Sequence, residues 1–224
     1  YSAQYQNGIK GTVRLRGEAP PETPFDIINV PCAEPDQMPH TTRFFVVDTN
    51  GGLADALVFL SDGVNSQVFP TIDTAVELVC TNCLIEPYVS AVMSKQLLSI
   101  RDASGLTHGV DVSLSSGTTL YGRELKPNGT NLLTQAMKPG MFERISCKVH
   151  PWEFAYVSVL PHPFFAITDE HGEFSITNIP PGRYTVEVRH RSGQGRGFEQ
   201  AQKSVRLSSG SMATLDFEIN APSH

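Results

Sequence analysis

The sequence predicts an all-β protein built of sandwiches or barrels, and three observations lead to this prediction. Runs of β-branched and aromatic residues recur about every ten residues along the chain, separated by Gly, Pro, Asn and Asp. Charged residues make up 18% of the 224 residues, below the roughly 25% of an ordinary soluble domain, which disfavours long solvated helices. No window of about a dozen residues carries an apolar stripe at the helical period of about 3.6 residues.

The strand signals can be taken in chain order. Before residue 113, strands are predicted at 9–15, 43–48, 56–60, 74–79, 96–100 and 106–112. Residues 122–140 hold few strand formers and are predicted to form a long loop. Later strands are predicted at 154–160, 172–176, 183–189 and 214–219. In the last two, apolar and polar residues alternate with the period of a half-buried strand.

Three units follow from the spacing of these strands. Residues 1–70 are predicted to be an N-terminal β segment that packs on either neighbour. Residues 71–161 form a second unit and residues 162–224 a third, and the Pro161-His162-Pro163 step marks the boundary between them.

Charge and hydropathy exclude two classes of partner. The chain has 17 Lys and Arg against 23 Asp and Glu, a net charge of −6, whereas a nucleic-acid-binding protein normally has a basic stripe. The longest apolar stretch, residues 154–167, is interrupted by prolines and is too short to span a bilayer. The chain begins at Tyr1, and we expect an exported protein whose signal peptide has been removed.

The stretch Cys147-Lys-Val-His150-Pro-Trp-Glu153 is the candidate for chemistry. It lies between two strand signals, and His108 lies at the start of a strand upstream. One thiolate and two imidazoles form the equatorial set of a trigonal His₂Cys copper centre. The sequence therefore predicts that His108, Cys147 and His150 meet at one metal ion.

These motifs resemble a known family. Residues 75–160 resemble a cupredoxin, a Greek-key β-sandwich, with a ligand loop of the amicyanin and plastocyanin type. The whole chain resembles exported bacterial proteins in which a cupredoxin-like unit precedes a transthyretin-like, carboxypeptidase-regulatory-like sandwich. The segments that carry this resemblance are residues 11–13, 51–60, 83–88, 147–152, 162–174 and 179–186. The resemblance implies copper, with His108, Cys147 and His150 as ligands.

The sequence departs from that family pattern at three places. Glu153 stands where the ligand loop ends in Met, and Tyr88 stands where a His is usual. Residues 101–104, Arg-Asp-Ala-Ser, replace an Asn-x-Asp. Three interpretations of Glu153 remain open: an axial oxygen donor that stabilises Cu(II), an outward solvated carboxylate, or a fourth ligand in a tetrahedral zinc site.

The resemblance also implies a pairing for the cysteines. It pairs Cys32 with Cys83 and leaves Cys80 over, whereas Cys80–Cys83 and Cys32–Cys80 are the competing choices. A thiol kept at Cys147 in an oxidising compartment is most simply explained by a metal that protects it.

The function expected from these residues is one-electron transfer through a mononuclear copper outside the cytoplasm, in the periplasm or at the cell surface. The partner would be a redox protein or a larger exported or membrane-associated complex. No acid–base pair is indicated, so we expect no enzymatic activity. The alternative is a structural or docking subunit of an exported assembly with an altered or empty metal site.

Overall fold

The computed structural model describes residues 6–25, 27, 41–64, 69–70, 72–113, 118–133, 139–191 and 198–222. These residues form strands and connections without a helix, so the all-β prediction is confirmed, and no helix in them could span a membrane. The strands are β1 (Gly8–Arg16), β2 (Leu57–Asp62), β3 (Val76–Thr81), β4 (Leu84–Glu86), β5 (Val89–Met93), β6 (Leu98–Asp102), β7 (His108–Ser113), β8 (Thr119–Leu125), β9 (Thr130–Leu132), β10 (Gly140–Cys147), β11 (Phe154–Leu160), β12 (Phe165–Ile167), β13 (Glu173–Thr177), β14 (Gly182–Arg191), β15 (Phe198–Leu207), β16 (Met212–Thr214) and β17 (Phe217–Asn220).

The chain divides into two compact units rather than the three units predicted. The terminal unit comprises Tyr1–Glu22, Arg43–Pro70 and Phe164–His224. The central unit comprises Thr23–Thr42 and Thr71–Pro163. The predicted N-terminal segment is therefore not a separate body, because most of it shares sheets with the C-terminal strands.

In the terminal unit, β1 and β2 complete sheets whose other strands come from the C-terminal third. β1 pairs antiparallel with β13 and parallel with β16 and β17. The second sheet has the order β12-β2-β14-β15. The apolar side chains of β1 must be covered to be shielded from water, and apolar side chains of the C-terminal strands cover them. The shared core includes Ile9, Val13, Leu60, Phe164, Val186 and Phe217.

The central unit holds two sheets around its own core. Their orders are β5-β11-β10-β7-β8 and β4-β3-β6-β9, with parallel pairs at β5–β11 and β3–β6. Every residue of β11 is buried, which fits a strand inside its sheet. The core includes Leu78, Ile85, Ile100, Val110, Ile145 and Val157. This arrangement places the ends of β6, β7, β10 and β11 at the candidate site.

Two predicted segments differ in detail from the structure. Residues 43–48 form no strand, and Val47 makes only an isolated bridge with Leu53. The reason is a tight turn directly after Val47, in which the Asp48 carboxylate accepts a hydrogen bond from the Gly52 N–H at 2.7 Å. The predicted loop 122–140 is wrong in three places: β8 continues to Leu125, Thr130–Leu132 form β9 by pairing with β6, and β10 begins at Gly140.

The cysteines exclude two of the three pairings considered. Cys80 is a free buried thiol, and so is Cys147. Cys83 is disulfide-bonded. The alternatives that involve Cys80 are therefore wrong, and Cys32, the partner implied by the resemblance, lies outside the described residues.

We expect Gly172→Ala to destabilise the terminal unit by about 3 kcal/mol, because it combines backbone strain with a steric clash. Gly172 has φ +72°, and a Cβ there would collide with the Val13 carbonyl oxygen and lie 2.6 Å from the Leu53 nitrogen. Urea unfolding measures the decrease in the free energy of unfolding. Gly210→Ala is the matched control, since φ is +73° but, apart from the two chain neighbours, no described atom lies within 4 Å of the position its Cβ would take. It should cost only about 1–2 kcal/mol, and equal losses would contradict the steric part of the explanation.

Candidate metal centre

The candidate site lies where four strand ends meet a short loop. β7 begins at His108 and β10 ends at Cys147, and these strands are neighbours in one sheet. The loop from Cys147 to Glu153 folds back on itself, because the Cys147 N–H donates to the Glu153 carbonyl at 3.0 Å and the Glu153 N–H donates to the His150 carbonyl at 2.9 Å. The Lys148 N–H donates to the Gly109 carbonyl at 2.8 Å and fastens the loop to β7. These backbone bonds bring the loop's side chains towards His108.

The four predicted side chains lie together in this arrangement. The ligand atoms offered by His108, Cys147, His150 and Glu153 all lie within 4.8 Å of one another. His108 Nδ1 is 2.8 Å from Glu153 Oε2, and His150 Nδ1 is 3.4 Å from Glu153 Oε1. Cys147 Sγ is 3.7 Å from His150 Nδ1 and accepts a hydrogen bond from the His150 N–H at 3.4 Å. We call these four residues the donor cluster.

The donor cluster is buried and contains a buried ion pair. Glu153 is 0% exposed, and the other three residues are at most 8% exposed, so Glu153 does not point outward into solvent. Burial by itself lowers the pKa of His108, but hydrogen bonds with Cys147 and Glu153 outweigh burial and raise the pKa to about 10. The His108 imidazolium and the Glu153 carboxylate therefore form an ion pair away from water.

Glu153 also has an oxygen that the protein does not satisfy. Its Oε1 is buried and accepts no hydrogen bond from the described residues, although His150 Nδ1 lies 3.4 Å away. A buried carboxylate oxygen without a partner is costly unless another group binds it. Its position beside one thiol and two imidazoles fits a metal ion, because zinc and copper accept donors of this kind. The donor cluster could thus hold one ion through sulfur, two nitrogens and an oxygen.

Asp102, at the end of β6, contacts the donor cluster from outside. Its Oδ1 lies 3.1 Å from His108 Nε2, and Ser104 Oγ lies 3.1 Å from the same nitrogen. Burial raises the pKa of Asp102, but hydrogen bonds from Ser104 and Asn128 outweigh it and lower the pKa to about 2. Asp102 was not among the predicted site residues. The departure of residues 101–104 from the family pattern marked this segment as unusual but gave Asp102 no role.

Tyr88, the second departure from the family pattern, lies in an aromatic cluster. Its ring centroid is 5.8 Å from that of Phe154 and 5.6 Å from that of Tyr156, both in edge-on geometry. Its hydroxyl donates to the Thr42 carbonyl at 3.1 Å. Tyr88 packs against the first residues of β11, the strand that begins directly after Glu153. It is not part of the donor cluster.

Cys80 also stays outside the donor cluster. It lies on β3 as a buried thiol. Burial raises the pKa of Cys80 well above its usual range, and the negative charge of Glu153 adds to the effect. A thiol of this kind stays protonated, so it is a poor competitor for the metal.

Comparison with protein families and curated proteins gives one match. A model of the carboxypeptidase regulatory-like domain family matches residues 150–220. Residues 164–220 of this match belong to the terminal unit, whereas residues 150–163 belong to the central unit. A search of curated proteins returned no match.

Comparison with solved structures finds cupredoxins. The chain is similar to a reduced variant of amicyanin, at 14% identity over 46% of this chain and 97% of that protein, with a TM-score of 0.32. It is also similar to a purple cupredoxin from Nitrosopumilus maritimus, at 14% identity over 37% of this chain and 97% of that protein, with a TM-score of 0.33. A Cu-containing nitrite reductase from Thermus scotoductus SA-01 matches at 14% identity over 44% of this chain and 24% of that protein, with a TM-score of 0.34. These comparisons return the two families that the sequence motifs resemble.

Proposed function

We propose that the donor cluster binds a single copper ion and that the protein transfers one electron at a time outside the cytoplasm. The observation that carries this proposal is the convergence of the buried Cys147, His108 and His150 side chains with the unsatisfied Glu153 oxygen. Copper, when bound, would supply the Cu(I)/Cu(II) couple. The Cys147 thiolate is a soft donor suited to Cu(I), and the imidazoles of His108 and His150 suit both oxidation states.

The burial of the donor cluster favours electron transfer over catalysis. A catalytic metal keeps a position open for water or substrate. Here four protein donors share a site in which no residue is more than 8% exposed. An electron needs no such opening. A redox partner protein, or a larger exported or membrane-associated complex in the periplasm or at the cell surface, would exchange the electron.

Copper loading tests the proposal. The purified full chain is incubated with Cu(II), dialysed and examined by metal analysis, visible absorption and EPR. We expect one retained copper per chain and a thiolate-to-copper charge-transfer band. Loss of all copper on dialysis would contradict the proposal. Preferential retention of Zn²⁺ from an equimolar mixture would instead identify a zinc site, which four buried donors of this kind also fit.

One observation favours the structural alternative. His108 Nδ1 pairs with Glu153 at 2.8 Å and His108 Nε2 pairs with Asp102 at 3.1 Å. These buried ion pairs can hold the cluster together without a metal, as in a docking subunit. A protein that folds fully and binds neither copper nor zinc would support this alternative.

Replacing Glu153 with Met is expected to raise the copper reduction potential and to strengthen the blue absorption band. A carboxylate oxygen is a hard, negative donor that favours Cu(II), whereas a thioether favours Cu(I). Voltammetry and absorption spectra of the copper-loaded proteins measure both effects. Glu153→Gln is the matched control, because it keeps the size and the oxygen but removes the charge. Spectra and potentials that are the same in all three proteins would show that Glu153 does not act on the metal.

A further inference from the structure

The two ring nitrogens of His108 have separate partners. Nδ1 faces the donor cluster, where Glu153 Oε2 lies at 2.8 Å. Nε2 faces away from it, towards Asp102 Oδ1 at 3.1 Å. The side chains of His108, Asp102 and Glu153 are all fully buried. Water therefore does not compete for either nitrogen.

Asp102 is itself held in place by several hydrogen bonds, and the other described groups that bond to its carboxylate are donors. Its Oδ1 accepts from the Ser104 N–H at 3.0 Å and from the Ser104 hydroxyl at 2.6 Å. Its Oδ2 accepts from the Gly105 N–H at 2.9 Å and the Asn128 N–H at 2.8 Å. An ionised carboxylate can only accept hydrogen bonds. Facing Asp102, His108 Nε2 must therefore carry a proton. Nδ1 faces the other donors of the cluster, so it is the nitrogen that would give up its proton to a metal.

We propose that Asp102 is a positioning residue for the metal centre, which fixes the His108 ring through Nε2–H so that Nδ1 is the ligand atom. This inference rests on the proposed function only in requiring a metal at the donor cluster, and it holds for zinc as well as copper. A carboxylate behind a ligating histidine fixes the tautomer and orientation of the ring and raises its basicity. Ser104 contributes by orienting the Asp102 carboxylate.

The wild-type protein loaded with Zn²⁺ gives the first test. Nitrogen-15 NMR of the imidazoles distinguishes the protonated from the metal-bound nitrogen. We expect His108 to carry a proton on Nε2 that exchanges slowly with water, with the metal on Nδ1. A proton on Nδ1 and zinc on Nε2 would overturn the proposal. This measurement needs no variant and no electron-transfer partner.

Affinity measurements give the second test. Competition with a chromophoric zinc chelator should show about 10–100-fold weaker binding for Asp102→Asn, the usual effect of losing such an outer partner. Asp111→Asn is the matched control, because Asp111 lies on the same strand as His108 and pairs instead with Lys148 at 3.2 Å. Asp111→Asn removes the same charge but no hydrogen bond to a ligand. It should therefore bind zinc within about twofold of wild type, because the roughly 10–100-fold loss depends on contact with a ligating residue.

Ser104→Ala provides a variant that keeps the backbone bonds to Asp102. It should weaken zinc binding in the same direction and by less, and it decides the question if Asp102→Asn fails to fold. Equal affinities for the Asp102 and Asp111 variants, with metal bound by the wild type, would overturn this inference alone. A wild-type protein that binds no metal would overturn both this inference and the proposed function.

Discussion

Replacing Cys147 with Ser is expected to abolish the thiolate-to-copper absorption band and to weaken copper binding by more than about 100-fold, since loss of an outer partner alone costs about 10–100-fold. Cys147 supplies the single sulfur of the donor cluster. A serine hydroxyl has a similar size, but it is a hard donor that stays protonated. The charge-transfer band depends on the Cu–S bond and should disappear even if some copper stays bound. Absorption and EPR spectra, with a copper titration against a competing chelator, measure both effects.

Cys80→Ser is the matched control for this experiment. Cys80 is also a free, buried thiol of the central unit, at 1% exposure against 3% for Cys147, but it is not part of the donor cluster. Its variant should keep the band and the affinity of the wild type. A band that survives in Cys147→Ser and is lost in Cys80→Ser would place the copper elsewhere and refute the assignment of the ligands.

The stability of the terminal unit is expected to fall by about 3 kcal/mol as the pH drops from about 6.5 towards 4, because His190 must gain a proton on unfolding. His190 is 2% exposed, its Nδ1 has no hydrogen-bond partner among the described residues, and its ring lies 5.0 Å from that of Phe45. Burial lowers the pKa of His190 to about 4. The unfolded chain binds a proton at the ordinary pKa of 6.5, so acid favours unfolding. The stabilisation is complete above pH 6.5 and is lost as the pH falls through this interval.

Urea unfolding followed between pH 4 and pH 8 measures this dependence. His190→Leu should flatten the curve in that interval, because the titrating group is gone and the position stays apolar. His171→Leu is the control, since the His171 side chain is 62% exposed in the same unit. A wild-type slope that persists unchanged in His190→Leu would assign the acid sensitivity to other groups.

The side chains of the candidate site could be predicted because each has a local signal. The Cys-x-x-His spacing places Cys147 and His150 on one loop, and His108 stands at the start of a strand. Glu153 was identified as a candidate, but its orientation could not be determined, because a charged residue at a loop end is normally solvated. The contact between Asp102 and His108 could not be predicted from the sequence either. It depends on how β6 ends against β7, and no spacing rule describes that.

The fold was predictable in its elements and less so in their pairing. The strand formers of residues 9–15 predict a strand but contain no information on the strands that cover it. The partners of β1 lie about 160 to 200 residues further along the chain. Partnership over such distances is decided by the joint packing of both segments, and a single sequence read locally does not show it.

The discontinuous terminal unit has a consequence for the order of events during synthesis. All residues of the central unit have emerged once residue 163 has left the ribosome or the export channel, so that unit can fold before residues 164–220 follow. β1 and β2 are made first but must wait for β13–β17 before their apolar faces are covered. During this interval two early strands are open to wrong pairing. We therefore expect the emerging chain to depend on a holding chaperone until residues 164–220 have followed.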